Sequence, residues 1–511
     1  MSARPIRPSS MSRDVIATYG TQAWTAIMGI AFVPVYIRYL GIEAYGIIGL
    51  FATLQSMLVI LDLGMTPTLT REIARFSGGE RDSAELRDLL RSVEISASLI
   101  GLTAAVGIWA ASDWLAHSWL QSQSIPPAEV AQALAIMGAV SALRFVEGIF
   151  RGAILGLHRQ VLYNGIVVVT STLRGIGAII ILAKISPTLE AFFVWQGLIS
   201  ITTVAALAWA TYGALPFSER PGRFSWLALK SVWRFAAGML GISLLALLLT
   251  QTDKILLSRL LSLSDFAGYM LATVVAGALE LVISPLFQAI TPRMSRLHAA
   301  GDGAGFVNLY HLGAQIVTVT GGVAGLMLFA FPDWVILAWT ADTALAARVA
   351  PILRWLALGY VFNLLMWMPY QAQLAYRWTG LALRINLVAV IVLVPVLLWT
   401  VPRFGPTSAA MIWAALNASY VLIGLHLMHR RILHAEKWRW YIQDVTIPLA
   451  YAGAWIGTIR WLVTTPPSSR IGLAVLLAGI AALAFAMACA AASLLRPEVL
   501  AFWRKRMLSL Q

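Results

Sequence analysis

The chain has 511 residues, 59% of them hydrophobic and only 12% charged, with a mean hydropathy of +0.78, whereas soluble domains carry roughly 25% charged residues. This excludes a soluble enzyme and a soluble domain on a single anchor, because the apolar runs of near 20 residues extend along the whole length. The net charge of +14 would suggest nucleic-acid binding in a soluble chain; here topology accounts for it, and no nucleic-acid partner is expected.

In chain order, the short basic start, MSARPIRPSSMSRDV, runs into an apolar stretch ending at Arg38 without a small-residue cleavage site, so it is expected to be a retained first helix. Hydropathy then places membrane helices at 15–37, 46–66, 91–112, 131–152, 161–183, 189–212, 232–252, 267–290, 306–331, 351–374, 385–400, 408–428, 445–462 and 471–495. The expected fold class is an all-α polytopic membrane protein of about fourteen transmembrane helices. Its longest connection runs from Pro67 to Arg91. The single cysteine, Cys489, excludes an intramolecular disulfide.

Lys and Arg are retained on the cytoplasmic side of a membrane. With the N-terminus inside, 26 of the 37 basic residues fall on cytoplasmic segments, and seven lie opposite: Arg38, Lys184, Lys254, Arg259, Arg348, Arg403 and Arg470. Both termini are therefore expected to be cytoplasmic. An internal repeat supports the register. The stretch EAYGIIGL from Glu43 resembles DFAGYMLA from Asp265, and that offset of 222 residues also aligns Gly46 with Gly268 and Arg71 with Arg293. Two pseudo-symmetric six-helix lobes are expected, at 1–213 and 214–430. Residues 431–511 then add two extra helices and a basic cytoplasmic tail.

Four segments carry a family resemblance: IRYLGIEAYGIIGL from Ile37, LDLGMTPTLTREIAR from Leu61, RGAILGLHRQVLYN from Arg151 and QTDKILLSRLLSLSDFAGY from Gln251. In this order they resemble the oligosaccharide flippases of the polysaccharide transporter family, in the multidrug/oligosaccharidyl-lipid/polysaccharide exporter superfamily. The resemblance implies two lobes around a central cavity lined by helices one, two, seven and eight, working by alternating access. It also implies an inner-membrane location. The implied substrate is an undecaprenyl-pyrophosphate-linked oligosaccharide repeat unit, moved to the periplasmic leaflet for cell-surface polysaccharide biosynthesis. A polysaccharide polymerase and a chain-length regulator are the implied partners, beside the lipid bilayer. The extra helix pair departs from the family's twelve-helix members.

Charges inside the membrane are costly, from about 2.5 kcal/mol each, so they normally face a cavity or a partner. Arg174 lies mid-helix in VVVTSTLRGIGAIII with no acid within four residues. It is either a cavity cation for pyrophosphate, a task suited to the forked guanidinium, or half of an ion pair with another helix. Arg144, Glu147 and Arg151 share one helix face at i, i+3 and i+7. There Arg144 either joins the cationic site or is neutralised by Glu147, while Arg151 reads as a topological charge at the cytoplasmic end. Asp253 and Lys254 pair with one another or with Arg38 across the cavity mouth. Arg354 is a further candidate for substrate binding. Glu280, central in AGALELVIS, either pairs with an arginine or carries a coupling proton, and Asp62 in LDLG has the same two readings as coupling group or hydrogen-bond acceptor.

His426, His429 and His434 have no acid or cysteine to complete a zinc site, so no metal or other cofactor is expected. Tryptophans near helix ends, among them Trp109, Trp114, Trp334, Trp438 and Trp440, read as an interfacial belt. An exporter of cationic drugs would need an acid-lined cavity, against Arg144 and Arg174. A glycan polymerase or ligase would need a large outer loop with catalytic Arg or His. The outer loops here stay short, so no enzyme activity is expected.

Overall fold

In a bilayer every backbone N–H and C=O must be satisfied within the chain, so long apolar segments fold as helices. The computed structural model describes residues 11–497 except 63, 78–82, 216–219 and 379. Among these residues there is no strand; Gln121 and Ser262 form one isolated parallel bridge. The basic residues expected to anchor the termini, Arg4 and Arg7 at one end and Arg504, Lys505 and Arg506 at the other, lie outside the described residues.

The helices are α1 (Met11–Ala31), α2 (Val33–Leu40), α3 (Ile42–Leu61), α4 (Met65–Ser77), α5 (Ser83–Trp114), α6 (Pro127–Gly156), α7 (Gln160–Lys184) and α8 (Leu189–Ala214). They continue as α9 (Trp226–Leu260), α10 (Leu263–Ala299), α11 (Gly303–Val317), α12 (Val323–Ala330), α13 (Pro332–Thr340), α14 (Thr343–Leu365) and α15 (Trp367–Ala375). The last are α16 (Gly380–Phe404), α17 (Pro406–Ser419), α18 (Leu425–His429), α19 (Lys437–Arg439), α20 (Ile447–Leu462) and α21 (Arg470–Ala491). Among the described residues, eleven spans are long and apolar enough to cross a membrane. Helix also covers the expected spans at α3, α9 and α20, so a count of fourteen is approximate.

The expected connection from Pro67 to Arg91 is mostly helix, supplied by α4 and the start of α5. In α4, Met65, Leu69 and Ile73 recur at i, i+4 and i+8 and are all buried, the apolar stripe of an amphipathic helix. Asp62 starts it: its carboxylate accepts from the backbone N–H of Thr66 at 3.1 Å and from the Thr66 hydroxyl at 2.7 Å. This is the hydrogen-bond-acceptor reading of Asp62, a cap on a helix end.

Packing divides the chain into two compact units, residues 1–267 and 268–511. The helix α9, which the repeat assigns to the second lobe, packs in the first unit against α3, α4 and α5. In that unit Gly152 and Gly156 let α4 approach α6. A Cβ on Gly152 would stand 2.8 Å from Thr66 Cγ2, and one on Gly156 2.7 Å from the Thr70 carbonyl oxygen, the close approach that small residues permit between membrane helices. Glu43, in the first turn of α3, accepts from Ser122 and from the backbone N–H groups of Gln123 and Ser124. Asp265 holds the matching place in α10, accepting from Ser262 at 2.9 Å.

The second unit has two apolar cores. One joins α10, α11, α14, α15 and α18 around Phe287, Tyr310 and Trp440. The other joins α12 and α13 to α20 and α21 around Phe331 and Trp334. Trp334 and Trp440 are thus core residues, 2% and 0% exposed, not belt residues; their position along the chain near helix ends does not reveal the inward direction. Trp109, Trp114 and Trp438 are exposed.

Beside the first core lies a buried ionic network. Both ring nitrogens of His311 meet a carboxylate, Nδ1 that of Asp444 and Nε2 that of Glu436 at 2.8 Å, while Gln315 donates to Asp444 and to Ser493. It ties α11 to the π-helical turn Trp440–Thr446 that leads into α20.

Candidate substrate cavity

The first unit encloses a cavity of about 700 Å³, lined from α1, α3, α4, α6, α7 and α8, within the range of small-molecule sites. On α6 the lining residues are Ser141, Arg144, Phe145, Glu147, Gly148 and Arg151; on α7 they are Tyr163, Val167, Thr170, Ser171 and Arg174. Both sets recur at three- and four-residue spacing, so each is one helix face. Three guanidinium groups and two carboxylates, those of Asp62 and Glu147, share the space, leaving a positive excess.

Arg174 is not uncompensated, as its own helix suggests. Its Nη2 lies 2.6 Å from Oε1 of Glu147 on α6 and 3.2 Å from the Ser200 hydroxyl on α8. Glu147 therefore pairs with Arg174, and the expected neutralisation of Arg144 by Glu147 is replaced. Arg144 is held instead by two amides: Nη1 donates to Gln55 Oε1 at 2.8 Å and Nη2 to Gln196 Oε1 at 2.9 Å. Its guanidinium carbon stands 4.9 Å from the centre of the Phe51 ring, a cation–π distance.

Donors remain. Arg144 Nε, Arg174 Nε and Gln55 Nε2 are buried and have no hydrogen-bond partner, and neither does the Ser141 hydroxyl. All four residues line this cavity. Buried polar groups are ordinarily satisfied; these four open groups belong to residues that line one space, and a lining of guanidinium and amide groups suits an acceptor-rich ligand. Arg151, read from sequence as a topological charge, also lines the cavity beside Asp62.

The other candidates lie elsewhere. Lys254 contacts its neighbour Asp253 at 3.3 Å and donates to the Thr250 carbonyl; neither residue lines the cavity. Arg38 is exposed on the last turn of α2. Arg354, in the second unit, is exposed on α14, donates to the Phe329 carbonyl and lies beside that ring. Glu280 is half-buried on α10 in the second unit. The sequence reading missed Gln55 and Gln196, although an amide inside FATLQSMLVIL or FFVWQGLIS is a signal of the same kind as a buried charge.

A polar, positively biased cavity inside a bundle of apolar helices is a build suited to a membrane transporter. Comparison with known proteins agrees. The profile of the family described as "Polysaccharide biosynthesis protein" matches residues 11–298, more than half of the chain, and that of MatE matches 239–400. A "Putative O-antigen transporter" of Shigella flexneri is 20% identical over 400 residues, covering 78% of this chain and 91% of the relative. Among solved structures, lipid II flippase MurJ in an inward closed conformation aligns with a TM-score of 0.67 at 13% identity, over 93% of this chain and 98% of that one. An inward-facing multidrug resistance MATE family transporter of the MOP superfamily aligns with a TM-score of 0.66 at 15% identity, over 83% and 99%. The chain belongs to the polysaccharide biosynthesis protein family, and its fold is that of the solved flippase and multidrug transporter.

Proposed function

We propose that this transporter is a flippase that carries a polyprenyl-pyrophosphate-linked oligosaccharide from the cytoplasmic to the periplasmic leaflet by alternating access. The observation that carries the proposal is the lining of the first-unit cavity by three arginines, Arg144, Arg151 and Arg174, against the two carboxylates of Asp62 and Glu147. A pyrophosphate offers acceptor oxygens in the geometry that a guanidinium fork matches. The similarity to a putative O-antigen transporter and to a lipid II flippase supports the same substrate class.

In this reading the pyrophosphate enters the cavity and is held by its guanidinium groups, while Glu147 and the two glutamines keep those of Arg174 and Arg144 in place. The polyprenyl tail stays in lipid. Lys254, Arg38 and Arg354 are proposed only as guides outside this site, and Glu280 and Asp253 as coupling or structural acids. The chain sits in the inner membrane with both termini cytoplasmic, motivated by the bias of 26 basic residues against seven. It works beside a polysaccharide polymerase and a chain-length regulator. The two six-helix lobes and the extra helix pair read from the repeat belong to the same proposal.

A multidrug exporter is the second reading, favoured by the MATE-like fold and opposed by the positive excess in the cavity. The test is export of surface polysaccharide in cells that depend on this chain. Arg174→Ala is expected to abolish export with normal membrane insertion, and Arg174→Lys to restore it only in part because the fork is lost. Full export by the alanine variant would sink the proposal.

A further inference from the structure

The second unit has a cavity of its own, about 420 Å³, and its chemistry is unlike that of the first. None of its twelve lining residues is charged. Instead it presents amides, on Asn363, Gln371, Gln373 and Asn386, and aromatic rings, on Trp367, Tyr370 and Tyr420. Part of this wall is fixed in advance. Asn363 Nδ2 donates to Asn417 Oδ1 at 2.9 Å, Trp367 Nε1 donates to Asn363 Oδ1 at 3.3 Å, and the Phe287 and Trp367 ring centres are 4.1 Å apart.

Another part is left open. Gln373 is only 4% exposed, yet its Oε1 has no hydrogen-bond partner, and the buried hydroxyl of Tyr420 also has none. Tyr420 begins the π-helical turn Tyr420–Gly424, and Gly424 lines the cavity with it. Such turns interrupt helices mostly at functional positions. Leaving a buried amide or hydroxyl unpaired is costly, so two such residues in one cavity wall favour a polar ligand or ordered water there.

We infer that this second cavity binds the uncharged, hydroxyl-rich sugar portion of the substrate, separately from the cationic cavity that receives its phosphates. A sugar ring has apolar C–H faces and a rim of hydroxyls that both donate and accept. Aromatic faces with a polar tip match the first, and amides, which carry donor and acceptor together, match the second. A pyrophosphate would find no cation here. A polyprenyl chain would leave the amide and the hydroxyl unpaired, at a desolvation cost.

The inference rests on the proposal that the substrate is a lipid-linked glycan, and its test separates the two. Two probes are used with the purified full chain: undecaprenyl pyrophosphate alone, and the same lipid carrying its repeat-unit oligosaccharide. In Gln373→Leu/Tyr420→Phe, affinity for the glycan-bearing lipid should fall about tenfold, equivalent to about 1.4 kcal/mol, with affinity for the bare lipid unchanged. In Arg174→Ala both affinities should fall together. Unchanged glycan-lipid affinity in the amide and tyrosine variant, or an equal loss for both lipids, overturns the sugar site. Retention of both affinities in Arg174→Ala, with the sugar-selective loss still present in the other variant, overturns the headgroup site and leaves this inference standing. Tyr420→Phe alone, which removes one hydroxyl and keeps the ring, should give a smaller loss in the same direction and controls for folding.

Discussion

Arg174 on α7 and Glu147 on α6 meet at 2.6 Å, Nη2 to Oε1, while the Nε of the same guanidinium is buried without a partner. The pair thus satisfies only part of the arginine. A purely structural pair gains from satisfying every donor, since low dielectric penalises an unpaired group. The open donor lies on the residue that lines the cavity beside Arg144, whose Nε is likewise unpaired.

Stability and transport should therefore separate. Arg174→Ala strands Glu147 in a partly buried position, and breaking a buried pair from one side costs about 3–5 kcal/mol. Arg174→Met/Glu147→Gln removes both charges and should regain most of the lost melting temperature, measured by thermal unfolding in detergent. Export should be absent from both variants.

The α4–α6 contact makes a packing prediction. Gly156→Ala brings a methyl to about 2.7 Å from the Thr70 carbonyl oxygen, where overpacking costs about 1–3 kcal/mol. Gly165→Ala, where nothing lies within 4 Å, should leave the melting temperature unchanged or slightly raised. Equal effects of the two would show that the close approach of α4 carries no energetic weight.

In the second unit, Asp444→Ala leaves His311, itself 0% exposed, without one of its two carboxylates. The expected loss is about 3–5 kcal/mol, with faster proteolysis between α18 and α20. His311→Leu/Asp444→Leu should recover stability, because an apolar pair replaces the fully buried histidine–carboxylate pair, while the partly exposed Glu436 keeps Arg439 at 3.5 Å. Failure of the double variant to recover any melting temperature would contradict this account of the network.

Much of the fold was legible because hydropathy records the bilayer directly: each expected segment lies mainly on helix among the described residues. What escaped was local amphipathicity in a charged stretch. Met65, Leu69 and Ile73 carry the stripe of α4, yet TLTREIARF reads as a basic connection when only mean hydropathy is followed. The site was legible in kind but not in partnership. Arg174 is conspicuous in its apolar helix, but its acid lies 27 residues away on another helix, a relationship that no spacing within one helix reveals. Arg151 misled for the opposite reason, since a charge near a helix end already has a topological explanation. The uncharged second cavity left no such mark, because an asparagine or glutamine in a membrane helix is far less costly than a charge.

Orientation has a direct check. In a Cys489→Ala background, Ser186→Cys between α7 and α8 is expected to react with a membrane-impermeant maleimide in intact cells, and Arg159→Cys between α6 and α7 only after permeabilisation. The reverse pattern would invert the topology drawn from the basic-residue bias.

The most direct test of the central claim is translocation of a fluorescently tagged undecaprenyl-pyrophosphate-linked oligosaccharide in proteoliposomes, comparing the wild-type chain with Arg174→Met/Glu147→Gln after both are shown to insert and melt alike. The cationic-cavity account predicts movement of the probe across the bilayer by the wild type and at least a tenfold slower rate in the double variant, the factor that about 1.4 kcal/mol of lost headgroup interaction produces. Translocation by the double variant at the wild-type rate would contradict it.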